Sequence, residues 1–105
     1  NGLGVTLDTT HYAQMGQDIV DAAVILSDRV RTIHLSDYTA SRTHVFIGEG
    51  GLDLPAFFKK IDPNYLNAIT IESSLSTADR SDRQMSHNEL VTRLSLAKKR
   101  LEVLI

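Results

Sequence analysis

Three ionisable side chains each stand at the end of a short apolar segment. Asp8 ends the segment "GVTLD", His34 lies in "TIHL", and Glu72 ends "ITIE". Two carboxylates and an imidazole form a mixed oxygen and nitrogen donor set, which suits Mn²⁺, Mg²⁺, Fe²⁺, Co²⁺ or Zn²⁺. Three protein ligands leave coordination positions open, as catalytic rather than structural sites do. The alternative interpretation is that each residue is only a hydrogen-bonded polar group at a strand end.

The segments around these residues repeat the order strand, loop, helix three times. Strands are predicted at residues 3–7, 31–35 and 68–71. Helices are predicted at residues 17–27, at residues 54–60 behind the N-cap Asp53, and after a capping box formed by Ser86 and Glu89. The last helix carries a predicted apolar stripe of Leu90, Leu94, Ala97, Leu101 and Leu104, with Lys98, Lys99 and Arg100 facing water.

Two loops separate these elements. Residues 36–52 contain Gly48, Gly50 and Gly51, for which turn formation is favoured over a phosphate cradle because no strand–glycine loop–helix context surrounds them. Asp37 lies three residues after His34 and either orients that ring or caps the loop. Residues 73–84 are polar and predicted to form a flexible loop.

Alternation of strands and helices predicts parallel strands joined by right-handed crossovers. The strands read as apolar throughout and are followed by polar residues, and the carboxyl ends of strands are where chemistry occurs in a (β/α)₈ barrel. Three units cannot close a barrel, so the fold class is α/β: three consecutive βα units of a TIM barrel, or a small open sheet. Because neighbouring strands lie ~5 Å apart, Asp8, His34 and Glu72 are expected to converge.

Composition excludes several classes of protein. The 105 residues are 42% hydrophobic and 23% charged, which indicates one globular domain. A net charge of −2 argues against a general nucleic-acid binder. The absence of cysteine excludes disulfides and thiolate metal sites. No apolar run is long enough to cross a bilayer and no signal-peptide pattern appears, so a cytoplasmic location is expected.

The ordered motifs "LDTTH", "IHLSD", "HVFIGEGGLDLPAFF" and "TIESS" resemble the C-terminal part of the xylose-isomerase-like TIM barrels. That family contains sugar phosphate isomerases and epimerases and the related apurinic-site endonucleases. The resemblance implies that residues 1–105 form the C-terminal part of such a barrel. It also implies that Asp8, His34 and Glu72 bind a divalent metal (Mn, Mg, Co or Zn), with a fourth ligand, a Glu on an earlier strand, missing from these residues.

The same resemblance implies substrate-binding roles for His11, Arg42 and His44. In the epimerases the residue matching His11 contacts a substrate oxygen, and in the endonucleases it binds metal. The endonucleases have an acidic zinc ligand where this chain has Arg42, and an arginine cannot ligate a cation. Basic residues in this loop of several epimerases hold substrate hydroxyls or phosphate. Arg42 therefore favours a sugar enzyme over a three-zinc nuclease.

We therefore expect a sugar or sugar phosphate isomerase or epimerase, in which a metal assists proton transfer next to a carbonyl and Glu72 moves the proton. The alternatives are a metal-dependent apurinic-site-endonuclease-like phosphodiesterase and a non-catalytic partial barrel. Three units leave sheet edges unpaired and one apolar face uncovered, so we expect self-association or pairing with a missing N-terminal part. The chain by itself is expected to be inactive.

Overall fold

A computed structural model describes residues 3–73 and 85–105. Three parallel strands form one open sheet in the order β1-β2-β3. The strands are β1 (Val5–Asp8), β2 (Val30–Leu35) and β3 (Ala68–Ile71). The predicted fold class is confirmed: these are consecutive βα units of a partial α/β TIM barrel. Apart from Ser73, the predicted polar loop at residues 73–84 lies outside the described residues.

Four helices accompany the strands: α1 (Thr9–Gln14), α2 (Ile19–Leu26), α3 (Leu54–Lys60) and α4 (His87–Leu104). The predictions for β3 and α3 are confirmed to the residue, and α2 is shorter than predicted. Helix α1 was not predicted, because its six residues begin with two threonines, which are weak helix formers. It forms because Asp8 is its N-cap: Oδ1 of Asp8 accepts the backbone N–H of His11 at 2.9 Å.

One face of the sheet packs on the helices and carries the core. Leu7, Ile33 and Leu35 point to this face and are fully buried, and Phe57 of α3 is buried against the same cluster. Side chains alternate along a strand, so the residues between them lie on the other face.

The uncovered face differs from the prediction that the strands are apolar throughout. Thr6 pairs in register with Thr32, which in turn pairs with Ala68. On the same face, Asp8 pairs with His34, which in turn pairs with Thr70. The prediction of an uncovered apolar face was therefore wrong, because small and polar side chains occupy that face.

Helix α4 is held partly by polar contacts that periodicity did not reveal. Ala97 is fully buried, whereas Leu94 is 41% exposed and so lies at the margin of the predicted stripe. Arg100 does not simply face water: its Nη1 donates to the carbonyl oxygen of Ile47 at 2.7 Å. Nη1 of Arg93 also lies 3.0 Å from Oε1 of Glu49. The loop between β2 and α3 thus supplies partners for α4. Among the described residues, no helix has the length and apolar character needed to cross a membrane.

Candidate functional site

The carboxyl ends of the three strands bring Asp8, His34 and Glu72 together. Asp8 is the last residue of β1, His34 pairs with it in register on β2, and Glu72 directly follows β3. One ligand atom from each residue lies within 4.8 Å of those of the other two. Nδ1 of His34 is 2.9 Å from Oε2 of Glu72, and both side chains are partly exposed. The backbone N–H of Glu72 donates to Leu35 at 3.0 Å, which fixes the start of the segment after β3.

Asp8 also belongs to a second group with His11 and His44, whose ligand atoms lie within the same 4.8 Å of one another. Nδ1 of His11 is 3.8 Å from Oδ2 of Asp8. The rings of His11 and His44 meet edge to face, with centroids 5.5 Å apart. The family resemblance implies substrate-binding roles for both histidines, and the structure places them beside Asp8.

A buried hydroxyl network holds the β1–α1 junction against the end of β2. Thr9 Oγ1 donates to the carbonyl oxygen of Ser36 at 2.6 Å and accepts the N–H of the same residue at 3.1 Å. Thr10 Oγ1 lies 2.6 Å from Oγ of Ser36 and 3.2 Å from the carbonyl oxygen of Asp37. Both threonines are fully buried. Sequence reasoning missed this network, although two hydroxyl residues between the candidate residues Asp8 and His11 were the available signal.

Asp37 caps the loop rather than orienting His34. Its carboxylate is 1% exposed and accepts backbone N–H groups from residues 38, 48, 50 and 52. The glycine segment therefore does enclose an anion, and that anion is the side chain of Asp37. A phosphate would find these donors occupied, which agrees with turn glycines as the favoured interpretation.

Arg42 lies in the same loop, two residues before His44. Its Nη1 atom is buried and has no hydrogen-bond partner among the residues that the structure describes. Next to it in the chain, Thr43 and His44 line a cleft of about 380 Å³ together with Glu72 and Ser73. This volume falls within the range of small-molecule sites.

The strand-end residues fit a divalent cation by donor type and by spacing. Two donors each about 2.1 Å from an ion and at right angles to each other lie about 3.0 Å apart. Nδ1 of His34 and Oε2 of Glu72 lie 2.9 Å apart, a distance at which they form a direct ion pair when the ring is protonated and which is close to the spacing of two neighbouring ligands. Carboxylate oxygens and imidazole nitrogen together suit divalent ions from Mg²⁺ to Zn²⁺. Asp8, His34 and Glu72 could therefore hold such an ion.

Parallel strands, helices on one face and ionisable side chains at the carboxyl ends are consistent with part of a TIM barrel, in which chemistry occurs at the carboxyl ends of the strands. A family model described as xylose isomerase-like TIM barrel matches residues 1–98. The chain belongs to that family, which covers sugar isomerases and epimerases and apurinic-site-endonuclease-like enzymes, and whose members often use divalent metals. No curated protein was found to match the chain.

Proposed function

We propose that this chain carries the metal-binding side of a sugar or sugar phosphate isomerase or epimerase. The observation that supports it most strongly is the grouping of Asp8, His34 and Glu72 within 4.8 Å at the carboxyl edge of the sheet. Fold alone does not define function, so the proposal depends on this donor set and its neighbours. A divalent ion held by these residues would supply Lewis-acid polarisation of a substrate carbonyl oxygen.

Glu72 is the proposed proton carrier. Its carboxylate takes the proton from the carbon next to the carbonyl, and the electron pair of that C–H bond moves towards the carbonyl oxygen. In an isomerisation the same carboxyl group then returns the proton to the former carbonyl carbon, while the hydroxyl proton of the carbon that lost its hydrogen passes to the former carbonyl oxygen, so that the carbonyl moves by one carbon. An epimerisation instead needs a second acid that protonates the original carbon from the opposite face. We propose that this second group is a Glu on a strand outside the chain, and that the chain alone is inactive because the same Glu would also be the fourth metal ligand.

Arg42, His11 and His44 are the proposed substrate contacts. A buried guanidinium N–H without an acceptor costs free energy, so the unpaired Nη1 of Arg42 supports donation to a substrate hydroxyl or phosphate oxygen. His44 lines the cleft beside Glu72, and His11 contacts His44. These residues would orient the sugar, while the side chains at the strand ends carry the chemistry.

The proposal is tested by turnover of a panel of ketoses and ketose phosphates with Mn²⁺, Mg²⁺, Co²⁺ and Zn²⁺, in the longest form of the protein that carries this chain. Glu72→Gln, His34→Ala and Asp8→Asn are each expected to lower kcat by at least about 100-fold. His87→Ala, at the exposed start of α4, is the matched control and should retain full activity. Turnover unchanged in all three variants would refute the assignment.

A second candidate is a phosphodiesterase of the apurinic-site-endonuclease type, favoured by the group of Asp8, His11 and His44. That group offers a second cation position, which sugar isomerisation at one ion does not need. Stoichiometry distinguishes the two: the isomerase predicts one bound ion at these residues, and the phosphodiesterase predicts two, with the second lost in His44→Ala. If no ion binds at all, the third alternative, a non-catalytic partial barrel, is favoured.

We also propose that the open sheet pairs through its edges, with a second copy of the chain or with an N-terminal part of the same barrel. The outer edges of β1 and β3 have no strand beside them within the described residues. Unpaired edges present free backbone donors and acceptors, which favour strand addition. A complete substrate cleft would then form only in the paired state.

A further inference from the structure

The buried carboxylate of Asp37 gathers one loop around itself. Its Oδ1 atom accepts the N–H groups of Tyr38 at 2.9 Å and Leu52 at 3.0 Å, and Oδ2 accepts those of Gly48 at 3.0 Å and Gly50 at 3.1 Å. Buried charge is stable only when hydrogen-bonded, and four backbone donors meet that need. Because the donors come from positions up to fifteen residues away, the carboxylate sets the path of the whole loop.

The backbone of Asp37 fixes the middle of the same loop. Its N–H donates to the carbonyl oxygen of Val45 at 2.8 Å, and its carbonyl oxygen accepts the N–H of Val45 at 3.1 Å. His44, directly before Val45, has a φ of 54° and is the one non-glycine residue with positive φ among those described. Such backbone conformations persist only where the surrounding structure holds them. The paired bonds to Val45 provide that restraint.

Gly50 shows how closely the loop is packed around Asp37. A Cβ atom at residue 50 would lie 2.5 Å from Oδ1 of Asp37 and 2.6 Å from the backbone nitrogen of Tyr38. At the next residue, Gly51, the nearest atom to such a Cβ is the carbonyl oxygen of Tyr38 at 3.9 Å. A methyl group at residue 50 would therefore displace the carboxylate, whereas a methyl group at residue 51 would not.

From these contacts we infer that Asp37 is a positioning residue, which holds His44 in its left-handed conformation with the ring against His11 and so forms one wall of the candidate cleft. It does this without touching the strand-end residues that would bind metal: among the described residues its carboxylate bonds only to backbone N–H groups. The cleft assignment rests on the proposed function, whereas the placement of the His44 ring does not.

The test is the nuclear Overhauser effect between the ring protons of His11 and His44, recorded by NMR on the full chain without metal. Asp37→Asn replaces one acceptor oxygen by an N–H₂ group that faces backbone donors, so the cross-peak is expected to disappear. Asp53→Asn is the matched control, because asparagine caps helices as well as aspartate does and the charge change is the same. A cross-peak of unchanged intensity in Asp37→Asn would overturn the inference.

A second pair of variants keeps the charge of Asp37 and changes only the space around it. Gly50→Ala is expected to weaken or remove the same cross-peak, whereas Gly51→Ala should leave it intact. Equal cross-peaks in the two alanine variants would contradict the positioning role. Failure of the proposed function is separate: if Mn²⁺ does not bind the wild-type chain but the cross-peak is lost in Asp37→Asn and Gly50→Ala, the metal assignment falls and the positioning role stands.

Discussion

At the scale of single residues, Asp8 combines two roles that the sequence presented as alternatives. One carboxylate oxygen caps α1 through the N–H of His11, and the side chain also lies in both groups of possible metal ligands. Asp8 can therefore be both a hydrogen-bonded polar group at a strand end and a candidate metal ligand. The N-cap holds the carboxylate on the side of the sheet where His34 and Glu72 end.

This double role allows a substitution that separates structure from binding. Asp8→Asn keeps a side-chain oxygen for the N-cap, so the free energy of unfolding should change by less than about 0.5 kcal/mol. The same variant lowers the charge of the donor set and should weaken Mn²⁺ binding by at least about tenfold. Asp8→Ala should lose both properties. Mn²⁺ affinity preserved in Asp8→Asn would exclude Asp8 as a ligand.

The positive φ of His44 leads to a prediction about backbone strain. The left-handed conformation costs a residue with a Cβ atom about 1 kcal/mol relative to glycine. His44→Gly and His44→Ala both remove the ring, so their difference isolates the backbone term. The free energy of unfolding, measured by urea denaturation, is expected to be about 1 kcal/mol larger for the glycine variant than for the alanine variant. Equal stability, or a more stable alanine variant, would contradict the strained conformation.

At the scale of elements, the sequence predicted those parts whose signals are local. The bounds of β3 and α3 follow from an apolar run before Glu72 and from the cap Asp53 with Pro55 in the first turn. Helix α1 was not predicted because it begins with two threonines, and because its capping residue Asp8 was interpreted as a candidate ligand and not as a cap. No local signal could show that Arg100 reaches Ile47, since that contact joins positions 53 residues apart.

The role of Asp37 could not be predicted from its spacing in the sequence. A carboxylate three residues after a candidate ligand is compatible with orienting that ligand and with capping a loop. Only the path of residues 45–52 shows which role Asp37 has, because this path brings backbone N–H groups to the carboxylate. The convergence of residues at strand ends, in contrast, follows from parallel topology alone.

Helix α4 supplies a prediction at this scale. Oγ of its N-cap Ser86 accepts the N–H of Glu89 at 3.2 Å. Ser86→Ala is expected to lower the free energy of unfolding by about 1 kcal/mol, since alanine cannot accept that hydrogen bond. Ser95→Ala, on the exposed side of the same helix, is the control and should be neutral or slightly stabilising. Equal effects of the two substitutions in chemical denaturation would show that the cap contributes nothing.

At the scale of the whole molecule, association should occur through sheet edges rather than through a face. The uncovered face carries threonines, an alanine and the candidate site, so it lacks the large apolar patch that was expected. The edges of β1 and β3 remain open within the described part of the chain. The proposed pairing therefore depends on backbone hydrogen bonds between strands.

Sedimentation tests this proposal. The wild-type chain is expected to form dimers or larger species as its concentration rises. Ala68→Lys places a charge on the exposed edge strand β3 and should shift the equilibrium towards monomer, because edge lysines oppose strand addition. Ser95→Lys adds the same charge to the outside of α4 and should leave association unchanged. A wild-type chain that stays monomeric at high concentration would contradict pairing between two copies of the chain.

Paramagnetic broadening by Mn²⁺ tests the central claim most directly, because it reports where the ion binds as well as whether it binds. Titrated into the isotope-labelled chain, Mn²⁺ is predicted to broaden the amide signals of Asp8, His34 and Glu72 first, and to do so far less in Glu72→Gln. Glu102→Gln, which removes an exposed carboxylate on α4, should behave as the wild type. Broadening that begins elsewhere, or that is the same in Glu72→Gln as in the wild type, would contradict a metal centre at the strand ends.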